Sequence, residues 1–109
     1  MADPKDARAV ARKILRCSAR VVVSDTVAHK ARTQDISMAG ISLMLDEPLP
    51  LGQAVTVVFD APINGRIVKI QVTAKAMYCS CVGTSGFRAG MHFGKLPEDV
   101  AKLIRQLLQ

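Results

Sequence analysis

Three arginines, Arg8, Arg12 and Arg16, stand four residues apart near the start of the chain. Each carries a charge that does not titrate away. In a helix they would share one face, and an extended arm is equally open to them. Further on, Asp35-Ile36-Ser37-Met38-Ala39-Gly40 gathers a carboxylate, a hydroxyl and a residue without a side chain. By itself that stretch describes a turn, in which Asp and Ser bond nearby backbone and Gly supplies a special dihedral. Cys79 and Cys81 would share one face of a strand and could hold a soft metal. Structural zinc usually takes C-x₂₋₄-C with a second ligand pair. Cys17, His29 and His92 do not supply that spacing, so no metal site is expected. Ser37 lies near Asp35 without a positioned histidine, which is no nucleophile signature. The chain is expected not to be an enzyme.

The net charge is +6 and favours an anionic partner. Aromatic residues make up only 4% of the chain, with no Trp. Binders of single-stranded nucleic acid offer aromatic stacking platforms, so the count argues against that class. No apolar run approaches the ~18 residues of a membrane span, and membrane insertion is not expected. The first residues lack the features of a secretory signal. An odd cysteine count fits a reducing compartment. Both observations make the cytoplasm the expected location.

The elements that must position these residues follow from periodicity. A basic N-terminal arm covers 1–17, and a single domain is expected over 18–109. In the domain the period is two. Val21-Val22-Val23 opens it, a weakly patterned strand covers 27–34, and Ile41, Leu43 and Leu45 point one way. Val55, Val57 and Phe59 alternate with Thr56 and Val58. Val68, Ile70, Val72, Ala74 and Ala76 alternate with polar residues in the longest strand signal, and Phe87, Ala89, Met91 and Phe93 form the last. Breaks fall at 47–52, at 61–65, where Asn64-Gly65 suits a tight turn of positive φ, and at 83–86. Pro97 then opens a helix with Glu98 and Asp99 in its first turn. Val100, Leu103, Ile104, Leu107 and Leu108 form its apolar stripe. The pattern predicts a mostly β fold: a small antiparallel barrel of six or seven strands, with a C-terminal α-helix covering its open end.

Within this order the two motifs acquire a context. Asp35, Ser37 and Gly40 resemble the D/N-x-S-x-x-G motif of PilZ domains, bacterial receptors for cyclic di-GMP. That family also carries R-x-x-x-R upstream, matched here by Arg8-Ala9-Val10-Ala11-Arg12 and by the overlapping Arg12-Lys13-Ile14-Leu15-Arg16. Counting back from the first strand favours Arg8 and Arg12, with Arg16 as an extra or alternative arginine. LPLGQAVTVVF at 49–59 and Gly90-Met91-His92-Phe93 are similar to further family elements. The likeness covers nearly the whole chain.

The resemblance implies a PilZ-like barrel and a cyclic di-GMP site built from Arg8, Arg12, Arg16, Asp35, Ser37 and Gly40, with no cofactor. A guanidinium fork matches guanine O6 and N7, stacks on the purine face and pairs with phosphate. An aspartate accepts from the N–H donors of the opposite edge. Ser37 would add a hydroxyl contact, and Gly40 would let backbone or ligand come close. Binding would dock the arm on the barrel and change the surface shown to a separate protein effector, controlling motility, polysaccharide production or virulence. Two other readings stand beside it. One is a PilZ-fold adaptor that has lost the nucleotide. The other is a small basic barrel that binds nucleic acid.

Overall fold

The computed structural model describes residues 11–109. Its strands are β1 (Arg12–Ile14), β2 (Ser18–Val22), β3 (Ala28–Ser37), β4 (Gly40–Leu45), β5 (Ala54–Ile63), β6 (Arg66–Cys81) and β7 (Phe87–Phe93), followed by helix α1 (Glu98–Leu108). All strand pairs are antiparallel. The order is β1-β3-β2-β5-β6-β7-β4, and an added β3–β4 pairing closes the sheet on itself in a ring. β1 and β2 run in succession along one side of β3, while β4 takes the other.

Strict alternation fills the ring. Val55, Val57, Phe59 and Ala61 of β5 and Ile70, Val72, Ala74 and Ala76 of β6 are buried, and the intervening residues face outward. The β5–β6 hairpin closes on Asn64 and Gly65 at φ 52° and 78°, the pair of positive dihedrals that matches the twist of the flanking strands. Helix α1 packs against β3, β5 and β6. Ile104 is fully buried and joins the core with Leu107, while Val100, Leu103 and Leu108 pack at its edge. No helix among the described residues is long and apolar enough to cross a membrane.

Of the segment 1–17, the part from 11 onward lies against the barrel. Arg12–Ile14 is extended and paired with β3, so at these residues the extended alternative holds. Leu15 is buried, and its N–H donates to the Gln34 carbonyl at 2.9 Å. Thr33 clasps the junction of β1 and β2. Its buried hydroxyl donates to the Leu15 carbonyl and accepts the Cys17 N–H at 2.8 Å. Such a clasp satisfies backbone groups that the break between two strands would otherwise leave without partners.

Candidate functional site

Asp35 sits near the end of β3 rather than in a turn, because β3 continues to Ser37 and β4 begins at Gly40. Alternation from Ala31 and Thr33, both buried, would send residue 35 into the core. The β3–β4 register shifts between Thr33 and Asp35. This bulge adds one residue, Gln34, so Ile36 becomes the buried position and Asp35 faces out.

Arg12 meets it there. Its Nε donates to Asp35 Oδ1 at 3.0 Å, and its Nη2 donates to the same oxygen and to Ser42 Oγ at 3.2 Å. The side chains of Arg12 and Asp35 are 49% and 34% exposed, so the pair is open to a ligand. No described residue hydrogen-bonds Asp35 Oδ2 or Arg12 Nη1. The site therefore presents a carboxylate oxygen that can accept N–H groups beside a guanidinium nitrogen, Nη1, with two N–H groups to donate.

Ser37 and Gly40 have other work. Ser37 is fully buried, and its Oγ accepts the N–H of Ala39 at 3.1 Å and of Gly40 at 3.2 Å. The hydroxyl expected to touch a ligand is thus engaged in holding the β3–β4 turn. At Gly40 a Cβ would lie 2.0 Å from the Met91 carbonyl oxygen, so the glycine is required by the approach of β7. Arg16 is exposed and lines a recess of about 250 Å³ with Arg32 and Gln34, one residue from Asp35. Arg8 lies outside the described residues. The structure brings Arg12 and Asp35 together, sets Arg16 on the same flank, and places Ser37 and Gly40 beneath them.

Sequence reasoning missed Ser42 and Tyr78. Register pairs Ile14 with Asp35, Asp35 with Ser42, Ser42 with Gly90, and Gly90 with Tyr78. These residues form one row across the outer face. The chain's single tyrosine lies over Gly90, where a Cβ would come within 2.2 Å of its ring. Tyr78 is 46% exposed and offers an aromatic surface at the end of the row. Two signals pointed there: the alternation of β6 breaks after Ala76, and a glycine inside a strand marks a close approach. Cys79 is half-buried, with its Sγ near the Leu49 N–H at 3.5 Å, and Cys81 is exposed. Among the described residues no three metal-ligating side chains converge.

Comparison with known proteins places this geometry. The inhibitor of motility MotI/DgrA of Bacillus subtilis is similar at 14% identity and a TM-score of 0.75, over 92% of this chain and 47% of that one. This chain therefore spans about half of that protein. The PilZ domain of YcgR from Escherichia coli, solved with c-di-GMP, is similar at 14% identity and a TM-score of 0.71, over 91% of this chain and 86% of that one. The PilZ domain of CeSA from a cellulose-synthesizing bacterium gives 16% identity and a TM-score of 0.63, over 90% and 94%. Curated proteins give no match. These likenesses establish the fold. The sequence itself fits the PilZ domain family over residues 6–109, and the chain belongs to that family.

Proposed function

We propose that the chain is a receptor for cyclic di-GMP that signals by contact with a protein partner. The observation that carries this is the outward Arg12–Asp35 pair, with one carboxylate oxygen and one guanidinium nitrogen still able to bond. Guanine offers acceptors on one edge and N–H donors on the other, which suits those two groups. The phosphates add two negative charges for Arg16 and the upstream Arg8. Tyr78 supplies a face for stacking a base. The YcgR domain, solved with c-di-GMP, supports the choice of ligand. MotI/DgrA, an inhibitor of motility, supports motility as the output.

Binding at Arg12 would bear directly on β1. Lys13, the next residue, donates from Nζ to the carbonyls of Leu107 and Gln109 at 3.0 Å each. Because residues 12–15 already pair with β3 and pack on the barrel, the ligand would act by changing the hold of β1 on Asp35, and this change would be what the partner reads. Isothermal titration calorimetry with cyclic di-GMP tests the receptor reading. Saturable binding by the natural chain that Asp35→Ala weakens at least about tenfold is expected, from loss of charge-assisted bonds worth roughly 1.5–3 kcal/mol. Absence of binding by the natural chain would leave the adaptor reading in its place.

A further inference from the structure

The outer face carries a second basic feature, distinct from the Arg12–Asp35 pair. A groove of about 730 Å³ crosses the outside of β2, β3, β4 and β5. Arg20, Lys30 and Arg32 line it, and all three are exposed. Arg20 and Lys30 are direct cross-strand partners. Like charges placed so repel each other and weaken a sheet. No carboxylate among the described residues forms an ion pair with any of the three. Of the two acids in the lining, Asp60 is held by Lys69 at 2.9 Å, which leaves Asp46 as the remaining counter-charge. The adjoining recess shares Arg32 and Met44 with the groove and extends the cationic track to Arg16.

Cations held side by side against their own repulsion suit an anion that spans them, and the shape of the groove narrows its class. Lys30 and Arg32 are two residues apart on β3, so their Cα atoms are ~6.8 Å apart. Alternate residues of any extended peptide have that same spacing. No aromatic residue lines the groove, so bases of a single strand would find nothing to stack on. We propose that this groove docks an extended acidic segment of a protein partner, with carboxylates at alternate positions facing Lys30 and Arg32. The inference rests on the receptor reading only in supposing that a protein partner is met.

The test is fluorescence anisotropy of the full chain with a labelled peptide of alternating glutamate and serine. The peptide should bind, and should bind less tightly as salt rises, because exposed charges are screened. Lys30→Glu and Arg32→Glu should each weaken binding by about tenfold or more, since like charges then face each other. Lys30→Ala should keep or slightly raise the melting temperature by relieving the Arg20–Lys30 repulsion, which separates a lost surface from a lost fold. Peptide affinity unchanged by Lys30→Glu, no binding at all, or displacement of the peptide by a weaker concentration of oligothymidylate than of unlabelled peptide would each overturn the proposal. Cyclic di-GMP titrated into the natural chain alongside the peptide keeps the two readings apart. Peptide failure with intact nucleotide binding overturns the groove alone, and Lys30-dependent peptide binding without nucleotide binding overturns the receptor alone.

Discussion

Arg12→Lys separates recognition from stability. In the protein as it stands, Arg12 makes two hydrogen bonds to Asp35 and one to Ser42 through a rigid planar fork. A lysine keeps the charge but brings a single nitrogen to the same place. The pair is half-exposed, and exposed ion pairs contribute only about 0.2–1 kcal/mol to folding. For a domain of this size 1 kcal/mol moves the melting temperature by about 4–8 °C, so the variant should melt no more than roughly 8 °C lower. A lysine nitrogen held by Asp35 leaves nothing at the position of Nη1, and loss of that charge-assisted contact to the ligand costs about 1.5–3 kcal/mol, a factor of about 10 to 150 in affinity. Calorimetry and a thermal melt on one preparation read both. Affinity for cyclic di-GMP within roughly twofold of the natural chain would refute the role of the fork. A melting loss much larger than the pair can account for would show that Arg12 chiefly supports the fold.

Gly40→Ala should be folded poorly or not at all, because its Cβ would overlap the Met91 carbonyl; a loss of about 1–3 kcal/mol or more is expected from denaturant titration. Tyr78→Ala should weaken cyclic di-GMP by a stacking contribution of about 1–3 kcal/mol, with little change in a thermal melt since the ring is nearly half exposed. Burial raises the Cys17 thiol above its ordinary value of 9.0, opposed by its hydrogen bond with Thr33. Above pH 9 the unfolded chain loses that proton while the folded chain keeps it, so stability should fall as pH rises past that point. Cys17→Ala should flatten the alkaline limb of a stability-against-pH curve, and an unchanged limb would show that another group controls it.

Much of the barrel was legible because its strands obey their period. Val68 to Ala76 alternates without a fault, Asn64-Gly65 has a single good use, and the stripe of α1 ends in the core. The failures fall where the period slips. Gln34 and Met77 stand at register shifts, and each changes which residues of its strand face out. A turn around Asp35 was the natural expectation from Asp, Ser and Gly together, yet the bulge lets β3 run to Ser37. Arg12 and Asp35 were legible through a family motif and not through periodicity. Ser42, Tyr78 and the Arg20–Lys30 opposition depend on which strands lie side by side, and spacing along one strand cannot reveal that.

Lys13 gives β1 a second allegiance. Adjacent residues of a strand point to opposite sides, so Arg12 reaches the outward carboxylate while Lys13 ties down the last turn of α1, where carbonyls carry partial negative charge. A strand of three residues thus carries two grips at once, one on the carboxylate of β3 and one on the end of α1. Removing either side chain would leave β1 tied to one neighbour instead of two.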